Sequence, residues 1–386
     1  MPSQEYIHFH RYSIDQAEKD AVIAALESGW ITKGPRVAEF EEEFKTYTQS
    51  KNALALNSCT AGLHLAMLAL GIGPGDEVIT TPLTFVATVN MILAVGAEPV
   101  LVDIDPDTLN IDVEAIAAAI TPKTRAIIPV HLAGQPCDLD PILELAKAHQ
   151  IYVIDDAAHA VGAFYKGQPI GSLCDATAFS FYATKNITTG EGGMLTSPHD
   201  DLIAKARPLS LHGLSQDAWK RYSQTTVKHY LVNEPGYKYN MTDIQAALGL
   251  VQLTKCDRFT QARKTRVDRY KSALTTLPLD FQKEIPHIQH AHHLFPIKLQ
   301  LKALNCTRDE VLTALQAEGI GCAVHFIPVH KHPYYQKRLA DQCHRLPHAD
   351  NAGNALISLP LYPDLSEAAQ DRVISVLSDI LEKAHK

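Results

Sequence analysis

At 386 residues the chain is too long for one ordinary domain and short of three, so a large domain with a smaller companion is expected. Its 46% hydrophobic and 20% charged residues, with no internal repeat, exclude a disordered chain; 35 basic against 43 acidic residues leave a formal charge of -8, which excludes general attraction to nucleic acid or to an acidic membrane surface. Seven cysteines at 59, 137, 174, 256, 306, 322 and 343 form no CxxC pair and suit a reducing compartment; the first residues lack the basic-then-apolar order of a signal peptide, and no apolar run reaches the roughly 20 residues of a spanning helix, so a cytoplasmic protein without membrane insertion is expected.

In chain order, Ser13 with Gln16 reads as a capping box for a first helix ending at Gly29. Asn57-Ser58-Cys59-Thr60 leads into AGLHLAMLALG, whose apolar residues recur at helical spacing until Gly71. Short β-rich runs then alternate with helical ones: EVITT, TFVATVNMILAVG, PVLVDI, VEAIAAAI, RAIIPV, LDPILELAKAHQ, IYVIDD and ATAFSF. This alternation predicts a mainly parallel sheet covered on both faces. A helix over 242–255 continues into another carrying DRFTQARKTRVDRYK, and the pattern lapses at the polar, His-rich PHIQHAHH. Beyond it, HLFPIKLQL reads as a strand, Thr307 with Glu310 caps a helix, GCAVHF reads as a strand, and a long helix starts near Ser366. The expected division is a large domain over 1–255 and a small α+β domain over 256–386.

Ligands of open parallel sheets bind beyond the carboxyl ends of the strands, which directs attention to three places. Ser58 to Ala61 opens a helix whose free amides and positive dipole end can receive a phosphate. Asp155-Asp156-Ala-Ala-His159 ends a buried strand, where an ionised group needs a partner or a function. Ser180-Phe-Tyr-Ala-Thr-Lys185, followed by NITTGEGG, sets a lysine directly after an apolar strand and before a glycine-rich turn, where it can form a Schiff base.

These blocks, together with ESGWITKGP, NSCTAGLHLAM, GDEVITTPLTFVATVNMI, PVHLAGQPCDLD, VIDDAAHAVGAFYKG, FSFYATKNITTGEGG and GYKYNMTDIQAALG, resemble the DegT/DnrJ/EryC1/StrS sugar aminotransferases, and most of all the enzymes that aminate C4 of UDP-linked 4-keto sugars such as 4-amino-4-deoxy-arabinose precursors. The resemblance implies a fold type I transferase dependent on pyridoxal 5′-phosphate, with a mainly parallel central sheet in the large domain and a smaller C-terminal α+β domain. It implies that Lys185 carries the cofactor and shuttles the proton, and that Asp156, with Asp155 as the alternative, pairs with the ring nitrogen. It places His159 near the ring hydroxyl and Phe85 on the ring face, a position that plain core packing explains as well. Thr60, Ala61 and Ser180 would hold the phosphate, joined by Asn240 from the second subunit of a homodimer with shared active sites. Trp30, Ile31, Thr32, His325 and Phe326 would lie at the substrate mouth, as would Tyr182, which stands where many relatives have histidine; Asn240 replaces an arginine of many relatives. The implied reaction moves the amino group of L-glutamate to a nucleotide-linked keto sugar. C3 of a dTDP-linked sugar, C4 of a 6-deoxy-N-acetyl sugar and a cofactor-binding regulatory protein are the alternatives.

No metal is expected. Asp103, Asp105, Asp107 and Glu114 imitate part of a calcium loop, but Thr108 stands where glycine is needed. Histidines 287, 290, 292, 293, 325, 330 and 332 lack ordered ligand spacing and are expected at the surface or the substrate mouth.

Overall fold

A computed structural model describes residues 5–214, 231–342 and 345–386. The first helix, α1 (Gln16–Glu27), is followed by α2 (Pro35–Thr48), β1 (Asn52–Leu56), α3 (Cys59–Ala69), β2 (Glu77–Thr80), α4 (Ala87–Ala94), β3 (Glu98–Leu101), α5 (Val113–Ala119), β4 (Thr124–Ile128), α6 (Leu139–His149) and β5 (Tyr152–Asp156). Two short strands, β6 (Phe164–Tyr165) and β7 (Gln168–Pro169), precede β8 (Ala176–Ser180), β9 (Gly193–Ser197) and α7 (Asp200–Leu209). After the segment outside the described residues come α8 (Asp243–Thr254) and α9 (Cys256–Leu274). The remainder comprises β10 (Leu279–Phe281), β11 (Ile288–Gln289), β12 (Phe295–Leu299), α10 (Arg308–Ala317), α11 (Pro333–Arg338), α12 (Pro347–Ala355), β13 (Leu356–Leu359) and α13 (Glu367–Ala384).

The central sheet has the order β1-β9-β8-β5-β4-β2-β3, and β9 alone runs antiparallel to its neighbours. Apolar side chains of both faces are sealed: α2, α6 and α8 close one face around Phe40, Phe44, Phe179 and Phe181, and α3 and α7 close the other around Leu63, Met67 and Leu202. The two faces decide what a strand residue can do, because alternate side chains point to opposite sides. In β5, Val153 joins the first core and Ile154 the second. A second sheet, β10-β12-β13, packs with α9, α10 and α13 into a separate core that includes Tyr270, Phe295 and Leu377.

α9 belongs to both cores. Cys256 and Phe259 pack with the large sheet, whereas Val267, Tyr270 and Leu274 pack with the small one. The N-terminal strap likewise crosses over, since Ile7 bridges Ile320 and is buried in the small core.

Two local expectations change. The first helix is capped by Asp15 and Glu18 rather than Ser13 and Gln16: Glu18 accepts from the Asp15 amide at 3.0 Å and is also held by Gln252 at 2.7 Å and Lys255 at 2.6 Å, so docking against α8 sets the helix start. The Ser13 carbonyl accepts from Gln252 instead. GCAVHF is not a strand; it makes a single bridge, Ala323 to Ser358, before the chain turns away and carries His325 and Phe326 toward the large domain.

Candidate active site

The parallel strands β5, β8, β4, β2 and the start of α3 after β1 all deliver their carboxyl ends to one edge of the sheet. A cavity of about 360 Å³ opens there, within the usual range for small-ligand sites. It is lined by Thr60, Phe85, Asp156, His159, Ser180, Tyr182, Lys185, His325 and Phe326 among the residues singled out from the sequence. Ala61, Asn240, Trp30, Ile31 and Thr32 do not line it in this chain.

Lys185 is the sole lysine or arginine among the described lining residues. Its surroundings of protein push the amine down to about 8 against the upward pull of the Asp156 carboxylate. An amine near that value exchanges its proton readily close to neutral pH, as a group that alternates between base and acid must.

Asp156 is the buried acid of the cavity, whereas Glu191 lines it as an exposed residue. Asp156 accepts from the Thr88 hydroxyl at 2.7 Å and the Ala158 amide at 3.2 Å, on the α3 side of β5. Asp155 points the other way, where Thr177 donates to it at 3.2 Å and His131 Nε2 stands 3.5 Å away, all of it sealed from solvent. The alternation of one strand thus separates two adjacent carboxylates into a cavity group and a core group. Thr88 is itself held by Thr84, in the turn that leads into α4, at 2.8 Å. A Thr88→Val variant loses a hydrogen bond to a charged group, worth about 1.5–3 kcal/mol, so the dissociation constant for pyridoxal 5′-phosphate is expected to rise about tenfold or more by absorbance titration.

The start of α3 supplies a phosphate-sized cradle. Ser58 caps the helix by accepting from the Ala61 amide at 3.1 Å, which explains why Ala61 is turned inward while Thr60 faces the cavity. Gly193 lets β9 pass directly beneath this turn, because a Cβ there would lie 2.3 Å from the Ser58 carbonyl carbon and 2.5 Å from the Cys59 nitrogen. Ser180, 7% exposed, completes the cradle from the end of β8.

Aromatic rings form the remaining walls. Phe85 is 59% exposed, so it is not core; its ring lies 6.1 Å from that of Phe326, which in turn stacks on His159 at 5.9 Å and 18°. His159 also lies 4.4 Å from the His293 ring. Burial, then the charge of Lys185, holds His159 far below its ordinary pKa, and burial brings His325 down to about 4. His325 is fixed by a 3.0 Å hydrogen bond with Ser358 and by stacking on Phe9. The imidazoles here are therefore neutral groups.

Phe9 and Thr84 line the cavity without being singled out from the sequence, and Thr88 supports it from behind, whereas Cys59 lies in the Ser58–Ala61 turn and His293 is one of the histidines expected at the surface or the mouth. Thr84 and Thr88 lie in the TFVAT block, where their i, i+4 spacing is the available signal. The expectation of surface or mouth histidines needs correction for His290, His292 and His330, which are buried, while His287 is exposed. Residues 291–294 thread between the two cores, with His293 donating its amide to Ala133, and this draws the polar segment inward.

Asn240 is engaged at the sheet edge, accepting from Lys238 at 2.5 Å and donating to Met241 at 3.1 Å. Trp30 donates to the Lys33 carbonyl at 3.1 Å, Ile31 is 53% exposed, and the Thr32 carbonyl accepts from the Asp243 amide. Asp243 also caps α2, accepting from the amides of Gly34, Arg36 and Val37, so the GWIT turn is fastened to α8. Among the described residues no group of three or more His, Cys, Asp or Glu is placed to hold a metal ion. Asp103 caps α12 through the amides of His348 and Ala349, and Asp105 accepts from Asp107 and Thr108, so their oxygens serve the backbone. No helix among the described residues is long and apolar enough to cross a membrane.

A mainly parallel sheet that brings a lysine, a buried carboxylate and a helix N-terminus to one cavity is the arrangement of a fold type I pyridoxal-phosphate transferase. The chain belongs to the DegT/DnrJ/EryC1/StrS aminotransferase family, whose model matches residues 12–378 and whose members depend on pyridoxal 5′-phosphate. It is 50% identical over 386 residues to the spore coat polysaccharide biosynthesis protein SpsC of Bacillus subtilis, covering 99% of each chain. Among solved structures it is similar to Spr1654 of Streptococcus pneumoniae in its PMP form, with a TM-score of 0.91, 38% identity and coverage of 98% of this chain and 99% of that one. It is also similar to Helicobacter pylori PseC, an aminotransferase involved in the biosynthesis of pseudoaminic acid, with a TM-score of 0.90, 30% identity and coverage of 98% and 100%.

Proposed function

We propose that this chain is a cytoplasmic sugar aminotransferase that carries its cofactor on Lys185 and moves the amino group of L-glutamate to the keto carbon, C4, of a UDP-linked keto sugar destined for surface polysaccharide or lipopolysaccharide. The observation that carries this reading is the meeting of Lys185, Asp156 and the α3 N-terminus in one cavity. Similarity to a polysaccharide biosynthesis protein supports the sugar, and the resemblance carried by the lysine motif supports the nucleotide.

When bound, pyridoxal phosphate supplies an aldehyde that condenses with amines and a ring that accepts the electrons of the adjacent carbon. The chain's own groups do the rest. Lys185 holds the cofactor and, once its amine is released, moves the proton at the substrate carbon. Asp156, braced by Thr88 and the Ala158 amide, keeps a ring nitrogen protonated. Thr60, Ser180 and the first-turn amides of α3, including the turn at Ala61, receive the phosphate. Phe85 covers one ring face and His159 stands near the ring hydroxyl as a neutral imidazole. Tyr182, His325 and Phe326 form the sugar side of the cavity. In a homodimer, Asn240 and the Trp30–Thr32 turn, which do not line their own chain's cavity, complete the partner's site.

Similarity to PseC favours a second reading, amination at C4 of a 6-deoxy-N-acetyl-4-keto sugar. Incubation with L-glutamate and, separately, a UDP-4-keto pentose, a UDP-linked 6-deoxy-N-acetyl-4-keto hexose and a dTDP-3-keto sugar tests both. Mass spectrometry is expected to show an amino sugar and 2-oxoglutarate with the pentose, with parallel double-reciprocal plots. Product from the hexose alone moves the assignment to the second reading, product from the dTDP sugar alone moves it to C3, and no product from any of the three contradicts both.

A further inference from the structure

The run DRFTQARKTRVDRYK reads as a solvated helix face, yet Arg263 at the middle of α9 is 2% exposed. Its Nη2 donates to the Asn186 carbonyl oxygen at 3.3 Å, while Nε and Nη1 find no hydrogen-bond partner among the described residues. No carboxylate among the described residues lies within ion-pair distance of it. Asp364 attracts it only from beyond ion-pair distance, and a buried cation without a contacting ionic partner costs stability, so its place here calls for a role other than packing.

Asn186 directly follows Lys185. Its side-chain amide donates to the Ala291 carbonyl at 2.8 Å, and the Ala291 amide donates to Gly134 at 2.9 Å. Asn186 is therefore gripped from two sides: its side chain by the 291–294 segment, which carries the lining residue His293, and its carbonyl by Arg263. Arg263 also sits where α9 passes from the large core at Phe259 to the small core at Val267. We propose that Arg263 is a positioning residue for Lys185, which fixes Asn186, the residue following the lysine, through its carbonyl from the helix shared by the two cores. The inference rests on Lys185 being the cofactor lysine.

Borohydride reduction of the holoenzyme followed by peptide mapping comes first. Label on a lysine other than Lys185 overturns the cofactor assignment and this proposal with it; label on Lys185 leaves the Arg263 question to the variants. Arg263→Met removes the buried cation and the donor while keeping volume, so the holoenzyme is expected to melt no lower than wild type. Its kcat with glutamate is nonetheless expected to fall about tenfold or more, since small misplacements of a reacting group carry such costs. Two further readouts separate positioning from bulk structure. The deuterium isotope effect with C2-deuterated glutamate is expected to increase, because proton transfer by a misplaced amine becomes limiting, and the cofactor dissociation constant is expected to rise. A variant with wild-type kcat, isotope effect and cofactor affinity overturns the proposal whatever its melting temperature. Should Arg263→Met prove both unstable and slow, Arg263→Gln decides, because it keeps a donor for the Asn186 carbonyl without the charge: recovery of kcat supports positioning, and absence of recovery overturns it.

Discussion

Replacing Lys185 with alanine is expected to lower kcat by about 10⁴-fold or more, because one change removes both the covalent attachment and the proton carrier. The rest of the site survives this substitution: Thr60, Ser180 and the α3 turn, the groups proposed to hold the phosphate, are unchanged, and Asp156 keeps its bonds to Thr88 and the Ala158 amide. The variant should therefore still bind pyridoxal phosphate, without the absorbance of a lysine-bound cofactor. Measured turnover within tenfold of wild type would contradict the assignment of Lys185. Lys185→Arg should fare no better, since a guanidinium is never a free amine near neutral pH.

The second large effect is expected at Asp156. Asp156→Asn preserves shape but removes the buried charge, and losing one partner of a buried charged pair corresponds to about 3–5 kcal/mol, or roughly 10²- to 10⁴-fold in kcat. The sign of a second change follows from the same charge. Asp156 pulls the Lys185 amine upward against the lowering by burial, so without it the amine falls below its value of about 8. A pH titration of the free Lys185 amine in the cofactor-free protein, read by its rate of modification with an amine-reactive reagent, should shift to lower pH in Asp156→Asn, with the wild-type curve regained in part by Asp156→Glu. An unchanged titration and full turnover would assign the ring-nitrogen partner elsewhere; Asp155, paired with His131 on the opposite face, is shielded from the cavity by the strand itself.

The large sheet was legible in the sequence because strands buried on both faces carry continuous apolar runs, and β4, β5 and β8 do so. Lys185, Asp156 and Ser180 were legible for a related reason: each stands at the end of such a run, which in an open parallel sheet is the ligand edge. What stayed hidden depends on packing between distant segments. GCAVHF has the composition of a strand, but its end turns from the small sheet toward the cavity, where Phe326 stacks on His159 and His325 stacks on Phe9 while keeping a side-chain hydrogen bond to Ser358 of β13. Ser13 with Gln16 and Asp15 with Glu18 are both fair capping pairs, and only the Glu18 contacts with Gln252 and Lys255 choose between them. Local composition also gives no sign that Arg263, His290 and His292 are buried, since a helix shared between two cores and a segment threaded between them bury charge and polarity that would elsewhere face water. The exposed Ile31 and the edge residue Asn240 carry no local sign of purpose in a single chain.

The most direct measurement of the central claim is the absorbance spectrum of the purified protein with pyridoxal phosphate, recorded before and after L-glutamate and again after a UDP-4-keto pentose. The account predicts a lysine-bound cofactor band that glutamate bleaches and the keto sugar restores. A folded protein that forms no such band, or a band that no amino donor bleaches, would contradict the aminotransferase assignment of this site.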